Sequence, residues 1–411
     1  MHRVVITGLG VLTSIGLTKN TFWEGLRTGR SGVRTITNYD MEGQRCTCAG
    51  QIRDFDLEAH VGGKQARRMD RTCQLGVSAA RQVIADSGLR LDEVDRNRIG
   101  VLTGTCNPMD WIWKAHQAYF TRGVKAVNPF TVLATFPDAA ASNIALDLGL
   151  HGTNLTLSSA CSSSADALGY ALSLIRSGIL DRAITGGVEA PVVFSTITAF
   201  GAARALSGHN DTPETASRPF DRTRDGFVLG EGAGLVLLER LDLALARGAH
   251  IYGELAGYGS TCDAWHMTAP REDCEQQARA VEMALKDAGV TIEQVDYINA
   301  HGTSTPLNDV TETRTIKKVF GNRAYSIPIS STKSMVGHTL GAAGGIEVVA
   351  TLLSMQEGMI HPTINYQEPD PDCDLDYTVE GARELKVDVA VSNSFGFGGK
   401  NSVLVLKRFE G

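Results

Sequence analysis

One cysteine and two distant histidines are the residues of this chain whose types and settings could do covalent chemistry. Cys161 stands in SACSSS at 159–164, His301 in NAHGT at 299–303, and His338 at the end of KSMVGH at 333–338. A cysteine thiolate is a nucleophile, and an imidazole can donate or accept a proton near neutral pH. The set predicts covalent chemistry on an acyl group.

The residues after Cys161 predict a helix. Leu168, Leu172 and Ile175 recur at helical spacing, so Cys161 would lie at a helix N-terminus. Unpaired N–H groups and the positive dipole end favour an anion there and lower the pKa of a thiol. A lone cysteine is also often a small buried apolar residue, and the helix alone does not decide between the two interpretations.

The two histidines lie in polar and glycine-rich segments. KSMVGHTLGAAGG at 333–345 leads into a helical period at 346–353, and NAHGT follows a short apolar run at 295–298 that predicts a strand. Side chains at the ends of strands in α/β proteins are often functional. One such histidine could be structural, but two of them point to a site.

Several motifs, in order along the whole chain, resemble those of the β-ketoacyl-acyl-carrier-protein synthases. They are VVITGLG at 4–10, ACSS at 160–163, FGAARALS at 200–207, RPFD at 218–221, DGFVLGEGAG at 225–234, NAHGTSTP at 299–306, STKSMVGH at 331–338 and NSFGFGG at 393–399. The resemblance is closest to the long-chain condensing enzyme of type II fatty-acid synthesis, which implies chain elongation in fatty-acid or related lipid synthesis. It implies the thiolase fold, an α/β architecture in which two related βαβαβαββ halves form a five-layered α-β-α-β-α core. We place the nucleophile half at 1–250 and the histidine half at 251–411.

The resemblance also assigns the chemistry. Cys161 would take the acyl chain from its carrier, and the backbone N–H groups of Cys161 and Phe397 would bind the oxyanion. His301 and His338, as neutral imidazoles, would stabilise the enolate formed when a malonyl thioester loses carbon dioxide. The reaction implied is a decarboxylative Claisen condensation that gives 3-ketoacyl-acyl-carrier protein.

The remaining site residues are assigned by their match to the family. Lys333 would form a buried ion pair with Glu347 beside the histidines. Asp309 matches a supporting acidic position, and a solvated helix cap is the alternative. Phe397, between two glycines, would gate the acyl pocket. Thr303 and Thr305 match family positions that bond the phosphopantetheine arm, with ordinary turn residues as the alternative. Substrate contacts are also predicted for Phe200, Phe395 and Asn107.

Where long-chain enzymes have small apolar residues and glycine, this chain has TCNPMDWIW at 105–113. Asn107, Pro108 and the two tryptophans could shorten, bend or polarise the acyl site. Lys400 replaces an expected threonine, and the SSS run at 162–164 resembles polyketide synthases. The alternatives are therefore a ketosynthase subunit of a type II polyketide or specialised lipid pathway and, more distantly, a homologue that only binds or initiates acyl chains.

The implied partner is an acyl carrier protein, acyl- or malonyl-loaded through its phosphopantetheine arm, and the implied assembly is a homodimer or a heterodimer with a related subunit. Carrier proteins are acidic, so basic residues should form the docking surface, although a solvated helix face is an equal alternative for each. The candidates, together with their neighbour Arg71, are Lys64, Arg67, Arg68, Lys125 and Arg204.

Composition excludes several other classes. The 411 residues carry a net charge of −7, which argues against a nucleic-acid binder, and no segment is apolar enough to span a bilayer. No export signal precedes the first strand, which predicts a cytoplasmic enzyme. The glycines at 8–10 and 398–399 lack the spacing of nucleotide loops, and Cys46 and Cys48 are too close for the usual zinc pair. We therefore expect neither cofactor nor metal, and read every cysteine except Cys161 as structural or incidental.

Strand-like and helix-like segments alternate, as α/β packing requires. Strands are predicted at 4–7, 100–103, 183–185, 234–238, 297–300, 389–391 and 403–406, and helices at 72–87, 165–177, 274–288 and 346–356. Residues 168–180 also match 348–360 in apolar character at an offset of 180, which suggests two copies of one helix-turn-strand unit.

Overall fold

The computed structural model describes residues 1–106 and 110–410. Its strands are β1 Val4–Leu12, β2 Arg34–Thr35, β3 Cys48–Ala49, β4 Ile99–Gly104, β5 Asn154–Leu157, β6 Arg182–Glu189, β7 Gly232–Arg240, β8 Gly253–Cys262, β9 Tyr297–Asn299, β10 Ile329–Ser330, β11 Met359–Ile360, β12 Arg383–Glu384, β13 Val389–Gly396 and β14 Lys400–Lys407. Its helices are α1 Lys19–Arg27, α2 Leu57–His60, α3 Gly63–Ala66, α4 Arg71–Ser87, α5 Asp110–Arg122, α6 Thr131–Thr135, α7 Ala139–Leu148, α8 Ser163–Arg176, α9 Phe194–Ala202, α10 Leu241–Ala246, α11 Glu275–Ala288, α12 Pro306–Phe320, α13 Lys333–Val336 and α14 Ala343–Glu357.

The main sheet repeats one strand order on either side of its middle. The order is β10-β9-β13-β14-β8-β1-β7-β6-β4-β5, so β1 and β8 meet at the centre. From β1 outward the pairings are two antiparallel and then two parallel, and from β8 outward they follow the same sequence. Each half therefore reads βαβαβαββ, with α4, α7 and α8 in the first and α11, α12 and α14 in the second, which confirms the predicted pair of related halves.

The two halves share hydrogen bonds as well as topology. Val5 pairs with Glu254 and Ile6 with Gly253, so a continuous sheet passes from β1 into β8. The division of the chain at residue 250 stays a prediction, although it falls between α10 and β8, where the second copy of the topology begins.

Helices α8 and α14 form the central layer. They pack on each other and contact strands of both halves, while α4 and α7 cover the outside of the first half and α11 and α12 cover the second. Leu168 and Leu172 of α8 share an apolar cluster with Val348 and Leu352 of α14, so the predicted repeat at an offset of 180 marks equivalent helices. In the second copy a strand does follow the turn, but this strand, β11, pairs with β12 in a separate small sheet and is not the equivalent of β6.

Glycines in the first strand of each half allow the neighbouring helix to approach closely. A Cβ on Gly10 of β1 would lie 2.1 Å from the Ala79 carbonyl oxygen of α4, and one on Gly259 of β8 would lie 2.1 Å from the Ala280 carbonyl oxygen of α11. These glycines serve strand-helix contact rather than turns. They explain why the sequence predicted only the first four residues of β1 and missed β8.

Among the described residues, no helix combines the length and the apolar character that a membrane crossing needs.

Candidate active site

Cys161 lies on a tight turn between β5 and α8. Ala160 has a φ of 54°, a left-handed conformation that an alanine adopts only under constraint, and the turn is held by the Ser163 hydroxyl. Ser163 Oγ accepts from the Ser159 N–H at 2.9 Å and donates to the Ala160 carbonyl at 2.6 Å. Cys161 is thus presented just before the first turn of α8, at the predicted helix N-terminus.

The fold brings both histidines to this cysteine. His338 Nε2 lies 3.0 Å from Cys161 Sγ, although 177 residues separate them. The His301 and His338 rings are nearly perpendicular, with centroids 5.4 Å apart, and one ligand-type atom from each of the three residues lies within 4.8 Å of the others. The predicted juxtaposition is confirmed, and we refer to Cys161, His301 and His338 as the nucleophile cluster.

Lys333 and Glu347 form the predicted ion pair behind His301. Both side chains are 2% exposed, and the ammonium nitrogen of Lys333 contacts Glu347 Oε1. The same nitrogen donates to the His301 carbonyl at 2.7 Å and lies 3.2 Å from His301 Nδ1. An ammonium group can only donate, so His301 Nδ1 accepts and the ring proton must sit on Nε2.

A backbone N–H fixes the tautomer of His338 in the same way. The N–H of Leu340 donates to His338 Nδ1 at 3.2 Å, which leaves the ring proton on Nε2. Burial and the charge of Lys333 hold the pKa of both imidazoles well below the usual value, and the neighbouring His338 further lowers that of His301. Both rings are therefore neutral and turn an Nε2–H towards the cluster.

The sequence prediction of a lowered pKa for Cys161 is wrong. Burial raises the pKa of this thiol to about 11, although Lys333 and the backbone N–H groups of Phe397 and Cys161 all act to lower it. The helix and the oxyanion donors favour a thiolate, but removal of the sulfur from water costs more. Cys161 rests as a thiol and must lose its proton during acyl transfer.

We predict that alkylation of Cys161 by iodoacetamide accelerates about tenfold per pH unit from pH 7 to 9.5, because only the thiolate reacts and the pKa lies above this range. The rate should be followed by peptide mass spectrometry. The Cys161→Ala variant is the control: it measures the labelling of Cys262, the exposed thiol on β8, which is then subtracted from the total. A rate that levels off below pH 8 would show a thiolate already present at rest.

Two carboxylates of α12 hold the loop that carries His301. Asp309 is fully buried and accepts from the N–H groups of Thr303 at 3.0 Å and Ser304 at 3.1 Å, so the alternative of a solvated cap is wrong. Glu312, which the sequence analysis missed, accepts from the His301 N–H at 2.8 Å and from the following N–H through its other oxygen. Burial raises the pKa of Glu312 to about 7. These bonds fix the backbone of the loop rather than the imidazole itself.

A cavity of about 430 Å³ leads to the nucleophile cluster. Thr303, Thr305, Phe200 and Phe395 line it, as predicted for substrate contacts, and the hydroxyls of the two threonines are 2.9 Å apart. Asn107 lies outside the described residues.

Phe397 stands between this cavity and an apolar cluster. Its ring lies 6.4 Å from that of Phe200 and 6.5 Å from that of Phe227, between centroids. The apolar cluster also contains Cys161, with Cys106 packed against it. A Cβ on Gly396 would lie 3.1 Å from the Cys161 nitrogen, so this glycine permits close approach of the segment to the nucleophile.

The predicted docking residues differ in their surroundings. Lys64, Arg67, Lys125 and Arg204 are exposed, and Arg204 also lines the cavity. Arg68 is exposed as well, with its guanidinium 5.4 Å from the centre of the Phe130 ring. Arg71 donates to Glu231 at 2.8 Å and to the Ile52 carbonyl at 2.7 Å, so its guanidinium is engaged in contacts within the fold.

Models of one protein family match the sequence of both halves of the chain. The model described as Beta-ketoacyl synthase, N-terminal domain, matches residues 1–244, and the one described as Beta-ketoacyl synthase, C-terminal domain, matches 252–367. The chain belongs to the β-ketoacyl synthase family. Membership makes it a condensing enzyme of the acyltransferase class.

Individual relatives cover the β-ketoacyl synthase chain almost completely. It is 48% identical over 409 residues to 3-oxoacyl-[acyl-carrier-protein] synthase 2 of Synechocystis, with 99% of this chain and 98% of that protein aligned. The protein of the same name from Staphylococcus aureus strain COL is 45% identical, with 99% of each chain aligned. A type II PKS ketosynthase, solved with its acyl-carrier protein and bound to a hexaketide, superposes with a TM-score of 0.91 at 37% identity, covering 99% of this chain and all of that one.

Proposed function

We propose that this β-ketoacyl synthase condenses an acyl chain held on Cys161 with malonyl-acyl-carrier protein to give 3-ketoacyl-acyl-carrier protein and carbon dioxide. The observation that carries the proposal is the nucleophile cluster, in which a thiol and two Nε2–H donors meet at the end of one cavity. The names of the most similar relatives support fatty-acid elongation as the setting.

The first half-reaction loads the enzyme. Cys161 Sγ attacks the carbonyl carbon of an acyl-carrier thioester, and the backbone N–H groups of Cys161 and Phe397 bind the oxyanion. Collapse expels the carrier thiolate, which takes the proton that the Cys161 thiol loses. The acyl chain must then extend past Phe397 into the apolar cluster, so we assign Phe397 the role of gate.

The second half-reaction uses the histidines. Once Cys161 is acylated, the His338 N–H no longer binds a free thiol and can turn to the incoming malonyl thioester together with that of His301. The C–C bond to the carboxylate breaks, carbon dioxide leaves, and the enolate oxygen accepts both N–H bonds. The enolate carbon attacks the acyl carbonyl, and Sγ leaves and is protonated again. No cofactor enters either step, and we propose that none is needed.

A ketosynthase of a type II polyketide or specialised lipid pathway is the second candidate. The 37% identical structure bound to a hexaketide favours it. So does Trp113, which stands where the long-chain enzymes have a small-residue stretch and stacks on Phe194 with ring centroids 5.3 Å apart. The two candidates share the chemistry and differ in the chain that is accepted.

One assay tests the reaction and separates the candidates. The protein is incubated with malonyl-carrier protein and acyl-carrier proteins of increasing length, and 3-ketoacyl products are identified by mass spectrometry. Repeated extension of saturated chains supports fatty-acid elongation, whereas poly-ketone products support the polyketide pathway. Acylation of Cys161 without any condensed product would contradict both and favour a non-condensing homologue.

We expect charge reversal at Arg204 to weaken the use of carrier-bound substrates, because Arg204 lines the cavity mouth and carrier proteins are acidic. An exposed ion pair is worth about 0.2–1 kcal/mol, and charge reversal replaces that attraction by a repulsion of similar size, so Arg204→Glu should lower kcat/KM about two- to thirtyfold at low salt. An acyl-pantetheine thioester, which lacks the carrier surface, should be used at the wild-type rate. Arg90→Glu, at an exposed arginine outside the cavity lining, is the matched control. Equal losses with both substrates would place Arg204 in catalysis or folding instead of docking.

We also propose a homodimer joined along β5. This strand ends the sheet, Leu155 on it is 42% exposed, and Leu146 on the adjacent α7 is 79% exposed, so an open apolar edge is available for a second copy. Sedimentation velocity should give a dimer, and Leu155→Lys should give a monomer. A monomeric wild-type chain would favour the heterodimer with a related subunit. We place the enzyme in the cytoplasm, where acyl carrier proteins supply its substrates.

A further inference from the structure

The nucleophile cluster has the composition of a zinc site. Thiolate and imidazole are the common ligands of Zn²⁺, at about 2.3 Å from sulfur and 2.0–2.1 Å from nitrogen. Among the described residues, Cys161, His301 and His338 are the one group of three or more His, Cys, Asp or Glu whose ligand atoms lie within 4.8 Å of one another. Residue type and proximity make this cluster a candidate metal site, and an ion bound there would block the nucleophile.

The partners of the two imidazoles have the opposite polarity from those of a metal site. A histidine that ligates a metal through Nε2 carries its proton on Nδ1 and donates it to a carboxylate, a carbonyl or water. Here His301 Nδ1 faces the Lys333 ammonium at 3.2 Å, and His338 Nδ1 faces the Leu340 N–H at 3.2 Å. Both contacts force the proton onto Nε2, which removes the lone pair that a metal needs.

We propose that Lys333 excludes metal ions from the nucleophile cluster by holding His301 in the Nε2–H tautomer. The ammonium has three N–H groups and three acceptors, namely Glu347 Oε1, the His301 carbonyl and His301 Nδ1, so it has no orientation that would let Nδ1 carry a proton. Its charge also repels a cation. Lys333 acts here through His301, as a positioning residue.

The effect on the thiol separates this role from simple activation of Cys161. Lys333 lowers the pKa of the Cys161 thiol, so its loss makes the thiolate harder to form. A gain in metal affinity when Lys333 is replaced therefore cannot come from easier ionisation of sulfur. It would report the change at the imidazole and the lost repulsion.

Neutral replacements distinguish the tautomer from the charge. Lys333→Gln offers an amide oxygen that can accept a proton from His301 Nδ1, whereas Lys333→Met offers none. Each is combined with Glu347→Gln, so that no buried carboxylate loses its partner. Glu347→Gln alone and Lys333→Arg, which keeps a donor and a charge, are the controls. Circular dichroism confirms folding of each variant.

The probe is Co²⁺, added without oxygen and with a phosphine reductant, and the readout is the thiolate-to-cobalt charge-transfer band. We expect no Cys161-dependent band in the wild type, Glu347→Gln or Lys333→Arg. The Leu340 N–H still holds His338 in these variants, so Cys161 and His301 are the ligands that become available. Lys333→Gln/Glu347→Gln should bind Co²⁺ about 10–100-fold more tightly than Lys333→Met/Glu347→Gln, the usual effect of a histidine's outer hydrogen-bond partner. Adding Cys161→Ala should remove the band.

Three results would overturn the proposal. The first is a wild-type protein that binds Co²⁺ at micromolar concentration with a band lost in Cys161→Ala, and this test stands even if the double variants fail to fold. The second is folded double variants that bind no better than the wild type. The third is equal affinity of the Gln and Met variants, which would leave charge repulsion alone and remove the tautomer from the explanation.

Discussion

Cys161→Ala is expected to abolish acyl transfer and condensation while the protein still removes carbon dioxide from malonyl-carrier protein. Loss of an enzyme nucleophile costs about 10⁶ in rate, because no other group is placed to form the covalent intermediate. The apolar cluster beside the cavity also contains Cys46 and Cys48, and Cys106 packs against it, but of the described thiols Cys161 is the one that lines the cavity. These neighbouring thiols therefore cannot replace Cys161.

Decarboxylation should survive because it depends on other atoms. Neither His301 nor His338 needs the sulfur to keep its Nε2 proton, since Lys333 and the Leu340 N–H hold the two tautomers. Removal of the thiol also frees the His338 N–H, which otherwise lies 3.0 Å from Sγ. The measurement is release of labelled carbon dioxide and formation of acetyl-carrier protein, beside an assay for 3-ketoacyl product. Loss of both activities in a folded variant would contradict the separation of roles.

The local sequence was sufficient to predict the helices that carry the site. The period of Leu168, Leu172 and Ile175 predicts a helix after Cys161, and α8 starts at Ser163. That prediction used only neighbours in the chain, which is why it held. The pKa of Cys161 depends instead on groups brought from elsewhere and on exclusion of water, and local sequence contains neither.

The sequence does contain a signal that Glu312 is buried. It lies in a charged stretch of α12 that suggests a solvated surface, yet it is fully buried. Asp309, Glu312 and Ile316 are spaced three and four residues apart, so both carboxylates share a helix face with a buried isoleucine. A carboxylate on the apolar face of a helix is a signal for a buried hydrogen-bond partner, and here the partners are backbone N–H groups of the His301 loop.

The tautomers of the histidines could not be predicted from the sequence. The sequence predicts Lys333 beside both histidines, and the structure shows that Lys333 contacts Nδ1 of His301, whereas the N–H of Leu340 donates to Nδ1 of His338. Which nitrogen carries the proton depends on contacts within the second half, and the one between Lys333 and His301 joins residues 32 positions apart in the chain. The proton can therefore be assigned to a ring nitrogen only when the hydrogen-bond donors and acceptors around each histidine are known.

His301→Ala and His338→Ala are each expected to lower the rate of malonyl decarboxylation about 10²- to 10³-fold, the usual cost of one preorganised donor to an oxyanion. The double variant should lose less than the product of the two, because both donors serve one enolate oxygen. Transfer of an acyl chain to the sulfur should persist in His301→Ala, since the oxyanion donors of that step are backbone groups. This pattern is the reverse of that expected for Cys161→Ala.

Glutamine replacements and pH test whether the imidazoles act as neutral donors. The amide nitrogen of a glutamine reaches the position of a histidine Nε2, so His338→Gln should retain part of the decarboxylation that His338→Ala loses. The pKa of both histidines lies well below the usual value. Both rings therefore stay neutral as the pH falls and become cations only at a pH below that at which an ordinary histidine is protonated. The decarboxylation rate of the wild type should therefore stay level from pH 8 to pH 6 when malonyl-carrier protein is saturating. A rate that changes with a midpoint near pH 6.5 would assign an ordinary histidine titration to the step, and with it a proton transfer in place of hydrogen-bond donation.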